Sequence, residues 1–332
     1  MGITKAEVAI LGSGSWATAL VKMFSSNAEN IAWYIREKEI IEHIRIYKHN
    51  LKYLSTVNLD TNKLILTHDI NRAVTLSEIL VFVIPSAFLK KSLAGLRADI
   101  SHKLVCSAIK GIVPEDNYIV GDFFHKKLNV PYKNMVVLTG PSHAEEIAME
   151  KLTYLTIASH ERSAAERVSE LLKNHYLRTV ISDDIIGTEY AAVIKNIYAI
   201  AAGIADGLGF GDNFLAVLLS NAANEMNRFI KAVYKNERDF NSSPYLGDLL
   251  VTAYSKFSRN RMFGTMIGKG YSVRFTRMEM EMVAEGYYAS DCINEINRKL
   301  KVDIPIADTV YRILYQKASP SVEFRNLTEK LK

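Results

Sequence analysis

Residues 189–204 read EYAAVIKNIYAIAAGI, a stretch apolar on nearly every face of a helix, and such a helix belongs in an interior. Lys195 and Asn196 interrupt it. An ammonium group taken out of water loses solvation worth several kcal/mol and responds by lowering its pKa. That would make Lys195 a proton donor and acceptor near neutrality, and a second cation close by, for which Lys110 is the candidate, would lower it further. A lysine at a helix edge can instead extend its head to water, but the neighbouring Asn196 argues for a polar pocket. Further on, residues 246–252 read LGDLLVT, which puts Asp248 and Thr252 four apart and on one helix face. Asp248 would orient Lys195 or a substrate hydroxyl, or else cap its helix after Gly247. In Ser258-Arg259-Asn260, a capping Ser258 would place Arg259 and Asn260 in a first helical turn. Free N–H groups, the helix dipole and a guanidinium fork converge there, as a phosphate clamp requires.

A second kind of chemistry opens the chain. The run VAILGSGSWATAL, residues 8–20, passes from a buried strand through Gly12 and Gly14 into a helix, with Ala17 at the third position of the fingerprint. Gly12 suits the tight turn, Gly14 lets backbone approach a pyrophosphate, and the helix N-terminus faces that charge, so a dinucleotide is expected here. The next strand, around residues 30–35, ends in Arg36-Glu37. Arg36 suits a 2′-phosphate and Glu37 a free ribose hydroxyl, so both NADPH and NADH are admitted.

These residues need a frame. The chain has 332 residues, 48% hydrophobic and 23% charged, with a formal charge of +5 from 41 basic and 36 acidic side chains spread along it. That is an ordinary globular composition long enough for two domains, without the basic block of a nucleic-acid binder. Apolar runs at residues 64–66, 80–84, 104–108, 136–138, 154–158 and 177–181 alternate with amphipathic segments, the pattern of a parallel sheet wrapped by helices. Near Asp183-Asp184 the rhythm stops and helical segments take over. The expectation is an α/β chain: a Rossmann-like, doubly wound domain over residues 1–186 that binds NAD(P), and an all-α domain over 187–332 that binds substrate and carries the catalytic groups. Strand ends such as Ala108-Ile109-Lys110-Gly111 and Thr139-Gly140-Pro141-Ser142 are where ligands gather in such sheets. The glycines at 207, 209 and 211 follow a helix and read as its terminator. The two cysteines, Cys106 and Cys292, read as buried reduced thiols. The eight histidines lack metal-ligand spacing, so no metal is expected. No signal peptide or membrane-length apolar run is present in the sequence, so a cytosolic protein without membrane insertion is expected.

The order of motifs is itself informative. GSGSWATAL, Asn50-Leu51-Lys52-Tyr53-Leu54, VIPS, IKGI, LTGPSHAEE, AAVIKNIYAIAAGIADG, LGDLLVT, SRNRMFG and MVAEG at residues 282–286 together resemble the bacterial NAD(P)-dependent glycerol-3-phosphate dehydrogenases. The resemblance runs from Val8 to about Gly286 and weakens beyond. It implies reversible hydride transfer between NADPH or NADH and dihydroxyacetone phosphate, giving sn-glycerol 3-phosphate for phospholipids, in a cytoplasmic homodimer. It implies Lys195 as general acid and base, aided by Lys110 and Asp248. Lys110, Gly140, Ser142, Lys195, Asp248, Ser258, Arg259 and Asn260 would contact the phosphorylated triose. Gly12 and Gly14 with Ser15, Trp16, Arg36, Tyr53, Lys110, Ala144, Arg259, Val283 and Glu285 would contact the cofactor. Ala17, Ser55 and His143 depart from the family's usual glycine, proline and phenylalanine. Hydroxyacid dehydrogenases with a catalytic lysine and a non-catalytic nucleotide sensor are the competing readings. By the resemblance, SRN and LGDL suit a small phosphorylated triose rather than a hydroxyacid, and a sensor could dispense with the buried lysine and the phosphate clamp.

Overall fold

Strand β1 (Ala6–Leu11) lies inside one sheet, parallel to β2 (Ile31–Tyr34) on one side and to β4 (Ser77–Phe82) on the other, with Val8 opposite both Ile31 and Ile79. The computed structural model describes residues 5–280 and 283–332. Past an exposed Glu7 in β1 and an exposed Glu78 in β4, both strands continue as apolar runs whose alternating side chains are buried on both faces, the pattern of a sheet covered by helices on either side. The intervening elements are α1 (Ser15–Phe24), α2 (Lys38–Tyr47), β3 (Leu64–Thr67) and α3 (Ile70–Leu76). The chain continues through α4 (Ser86–Leu93), β5 (Leu104–Ser107), a hairpin of β6 (Ile112–Val113) and β7 (Tyr118–Ile119), and α5 (Val120–Leu128). Then come β8 (Met135–Thr139), α6 (Ala144–Ala148), β9 (Thr153–Ala158), α7 (Arg162–Leu172) and β10 (Leu177–Ser182). The 8-stranded order is β10-β9-β8-β5-β4-β1-β2-β3. One pairing departs from a wholly parallel sheet: β9 runs antiparallel to β8, with Leu138 opposite Ile157. The 5-residue α6 is the only helix between them, and a direct return to the neighbouring strand needs no crossover.

The helical part comprises α8 (Ile185–Gly207), α9 (Asp212–Val233), α10 (Asp248–Tyr254), α11 (Arg259–Gly268), α12 (Val273–Glu279), α13 (Glu285–Leu300), α14 (Pro305–Tyr315) and α15 (Pro320–Thr328). Helix α8 ends at Gly207 and Gly209 takes a φ of +86°, the terminator expected of that glycine cluster. The chain divides into two compact units: the described residues up to Ile109 with Val120–Ile185, and Lys110–Ile119 with those from Ile186 onward. The division differs from a cut at 186/187 in one segment. Residues 110–119 belong with the helices, because Ile112 and Ile119 of the hairpin are buried in the helical core beside Ile194, Ile197 and Tyr198. Lys110 therefore shares a unit with Lys195.

Two helices of that unit interlock through glycine. A Cβ at Gly203 would stand 2.0 Å from the Arg261 carbonyl oxygen, and one at Gly264 would stand 2.1 Å from that of Ile200. Gly207 and Gly268, one turn further on, meet the same limit at 2.4 Å each. Only helices lacking side chains at both positions approach so closely. This crossing fixes the start of α11 against α8.

Candidate active site

Lys195 leaves the middle of α8 and is 3% exposed. Its Nζ lies 2.5 Å from Oδ1 of Asp248, the first residue of α10, which is 1% exposed. The Nζ of Lys110 stands 3.8 Å from the other carboxylate oxygen. One carboxylate therefore faces two ammonium groups. Burial pushes the Lys195 pKa down, the Asp248 charge raises it and the Lys110 charge lowers it, leaving it at about 7 against an ordinary 10.5. Such a group can give up or take a proton near neutrality. Asp248 does not cap its helix with its side chain. Its Oδ2 is buried without a hydrogen bond among the described residues, leaving an acceptor beside the lysines. Thr252, on the same helix face, donates its hydroxyl to the Asp248 carbonyl at 2.6 Å and closes the helical turn.

Asparagines join this pair to the phosphate-clamp motif. Asn196 Nδ2 donates to the carbonyl of Lys110 at 2.8 Å and to that of Ala192 at 3.1 Å. Asn260 Nδ2 donates to Asn196 Oδ1 at 3.0 Å, and Asn260 Oδ1 accepts from the Gly286 backbone N–H at 2.9 Å. A single chain of amides thus ties the Lys110 loop, α8, α11 and the start of α13. Ser258 caps α11 as its sequence predicts, accepting from the Arg261 N–H at 3.3 Å. Arg259 follows in the first turn, half-buried, with no carboxylate partner among the described residues. A guanidinium at the positive end of a helix is unfavourable by itself, and an anion bound there relieves it. Val283 and Glu285 lead into α13, docked on α8 where a Cβ at Gly286 would come 2.5 Å from the Asn196 carbonyl oxygen. Met282 of the MVAEG motif lies outside the described residues.

The other expected residues lie in the sheet unit. Gly12 has a φ of +144°, and a Cβ there would sit 2.6 Å from the Val83 carbonyl oxygen, so only glycine fits. Gly14 precedes α1 in extended conformation, and a Cβ on it would meet nothing within 4 Å. With no acidic residue and no capping side chain, the first turn of α1, which holds Ser15 and Trp16, fits the phosphates of a dinucleotide. Ala17 is fully buried where a third glycine was expected, so a methyl group fits the helix-to-strand contact. Gly140 has a φ of +99°, Ser142 donates to its carbonyl at 3.0 Å, and Ala144 opens α6, which packs on α1.

Two contacts have no single-sequence signal. Asn50, fully buried, donates to the Ser13 carbonyl at 3.0 Å and to Thr18 Oγ1 at 2.9 Å, and accepts from the Tyr53 N–H at 3.2 Å. It locks the glycine loop to the stretch that carries Tyr53. Ser13 Oγ donates to Glu37 Oε2 at 3.1 Å, while Arg36 forks onto Oε1 at 2.6 and 3.1 Å. Burial works to raise the Glu37 pKa, but the bonds from Arg36, from its own backbone and from Ser13 outweigh it, holding the carboxyl below its usual range.

The chain matches the family models NAD-dependent glycerol-3-phosphate dehydrogenase N-terminus over residues 7–165 and C-terminus over residues 184–325. A Clostridium botulinum protein named glycerol-3-phosphate dehydrogenase (NAD(P)+) is 33% identical over 97% of this chain and 96% of its own length. Its Bacillus subtilis namesake is 34% identical over 96% of this chain and 93% of its own. A crystal structure of glycerol-3-phosphate dehydrogenase from Coxiella burnetii superposes with a TM-score of 0.89 at 27% identity, covering 98% of this chain and all of that one. A D-mandelate dehydrogenase, with a TM-score of 0.60 at 18% identity, shares the fold. Both halves and the whole length agree, and the chain belongs to the NAD-dependent glycerol-3-phosphate dehydrogenase family.

Proposed function

We propose that the protein reduces dihydroxyacetone phosphate to sn-glycerol 3-phosphate, reversibly, with NADH or NADPH. The observation that carries this reading is the buried Lys195–Asp248 pair with Lys110 at the second carboxylate oxygen. A reduced nicotinamide, when bound, would supply the hydride for the carbonyl carbon. Lys195, as ammonium, donates its proton to the carbonyl oxygen, so that C=O becomes CH–OH and the lysine is left neutral until it regains a proton. Lys110 keeps positive charge near the oxygen as negative charge grows on it. Asp248 holds Lys195 in place, and its Oδ2 is available to a substrate hydroxyl. Arg259 and the start of α11, with Ser258 and Asn260, hold the phosphate, which lends remote binding energy to orient the reacting carbon. Gly140 and Ser142 complete the substrate contacts.

Gly12, Gly14, Ser15 and Trp16 would hold the pyrophosphate. Arg36 and Tyr53 would serve the adenosine end, and Lys110, Ala144, Arg259, Val283 and Glu285 the remainder of the dinucleotide. In the cell the product would supply the glycerol backbone of phospholipids. A cytoplasmic homodimer is the form this reading expects; among the described residues no helix is long and apolar enough to cross a membrane. The test is the initial rate of NADH and NADPH oxidation with and without dihydroxyacetone phosphate. Turnover that depends on the phosphorylated ketone is expected; equal rates with a hydroxycarboxylic or keto acid panel would replace the substrate assignment.

A further inference from the structure

Glu37 occupies the place where a strand of this sheet hands its chain to the nucleotide. Strand β2 pairs in parallel with β1, Leu11 opposite Tyr34, and the Gly12 N–H donates to the Tyr34 carbonyl at 3.2 Å, so residues just past Tyr34 lie beside the glycine loop. In sheets of this kind that position reads the ribose of the adenosine half. Two side chains of opposite charge compete for it here.

They are not equally held. Arg36 is 74% exposed at its side chain, and it pairs with the Glu37 carboxylate. An ion pair so open to water contributes little, and the arginine can swing away from it. Glu37 is 22% exposed, and its Oε2 accepts from Ser13 Oγ. Ser13 is in turn fixed through its carbonyl by buried Asn50, which also grips Thr18 in the helix that follows the loop. The carboxylate is part of the loop's framework, whereas the guanidinium is attached to the carboxylate. Asp69, which caps α3, adds negative charge near Tyr34. We propose that Glu37, braced by Ser13, selects NADH over NADPH in this chain by accepting the adenosine ribose hydroxyls and opposing a 2′-phosphate. This rests on the dehydrogenase reading above.

A 2′-phosphate at this place would bring negative charge against a carboxylate tethered by Ser13, and its attraction to Arg36 would first have to replace the bond Arg36 already makes. Removing the carboxylate's charge while keeping its shape separates the two side chains. Calorimetric titration of the purified protein with NADH and NADPH, and with 5′-AMP against 2′,5′-ADP, reads binding without turnover. The wild-type protein is expected to bind NADH about tenfold or more tightly than NADPH, the scale of one partly screened like-charge contact. Glu37→Gln should weaken NADH and strengthen NADPH, moving the ratio about tenfold towards NADPH. Ser13→Ala, which leaves the charge but removes its brace, should move the ratio the same way by less. Circular dichroism and melting temperature check that both variants fold. Preferred NADPH binding by the wild-type protein, or an unchanged ratio in both folded variants, would overturn the proposal and leave the activity standing. Binding of neither dinucleotide by the folded protein would overturn the dehydrogenase reading with it.

Discussion

The two units handle charge in opposite ways. In the sheet unit the cradle around Gly12 and Gly14 offers backbone, open space and the end of a helix, and its charged side chains, Arg36 and Glu37, are at least partly in water. In the helical unit the groups at the site are themselves ionised and sealed in: Lys195 and Asp248 are almost wholly buried, with Lys110 alongside. A dinucleotide brings its own charge and needs only dipoles to meet it. A proton transfer needs a group whose charge is unstable, and burial supplies that instability. The glycine crossing and the amide chain fix the helix that carries Lys195 against the Lys110 loop, α11 and the start of α13.

The difference is broken most severely at Lys195. Lys195→Ala is expected to lower kcat by roughly a thousandfold, within the range a positioned general acid supplies, while NADH binding to the sheet unit is retained. In the wild-type protein the direction of the pH dependence follows from a pKa near 7. Reduction needs the ammonium and should fall as pH rises through about 7; oxidation needs the neutral amine and should fall as pH drops through the same value. Stability runs with the second. Between about 7 and the unfolded lysine's ordinary value of 10.5 the unfolded chain holds a proton that the folded one lacks, so this group makes stability increase with pH across that window. Parallel profiles in both directions would remove Lys195 from the proton transfer.

A second break concerns Arg259, which has no carboxylate partner among the described residues. Arg259→Ala should reduce kcat/KM for dihydroxyacetone phosphate by about a hundredfold or more, the cost of losing one partner of a largely desolvated ion pair. The rate with unphosphorylated dihydroxyacetone should change little. An equal loss on both ketones would make Arg259 a structural residue rather than a phosphate ligand.

How much of this could be read from the chain follows the same divide. Gly12, Gly14 and the apolar runs around them are legible because backbone geometry and burial on both faces each leave a local mark. Lys195 was legible as an anomaly, an ion in an apolar helix, and Ser258 as a cap. What was not legible depends on distant segments meeting. The hairpin of residues 110–119 looks like the end of a sheet strand, yet Ile112 and Ile119 find their partners in the helical core. Strand β9 is a short, β-branched-rich run like other strands of the sheet, and nothing local marks that it runs antiparallel to β8. Asn50 and the Asn196–Asn260 bond are ordinary polar residues until the fold brings them together. The four glycines of α8 and α11 are spaced in fours within each helix, but their meeting is a tertiary fact.

Those glycines and Gly14 give the finest test of the comparison, because one substitution has opposite consequences in the two units. At Gly264 an added methyl group would lie 2.1 Å from the Ile200 carbonyl oxygen, backbone against backbone, with no flexible side chain to yield. Gly264→Ala should therefore cost about 2 kcal/mol or more of stability through overpacking. It should lower kcat by displacing Asn260 from Asn196, and leave NADH binding to the sheet unit intact. At Gly14 the same methyl group meets nothing within 4 Å and the backbone is extended, so Gly14→Ala should leave the melting temperature nearly unchanged. It would instead project into the space a pyrophosphate needs, and NADH affinity should fall by roughly tenfold, about the 1.4 kcal/mol of one disturbed contact. Thermal melts and nucleotide titrations of the two variants check both halves. If Gly14→Ala destabilised the fold and left binding untouched, that glycine would be a packing residue like the ones in α8 and α11, and the open cradle would lose its assigned purpose.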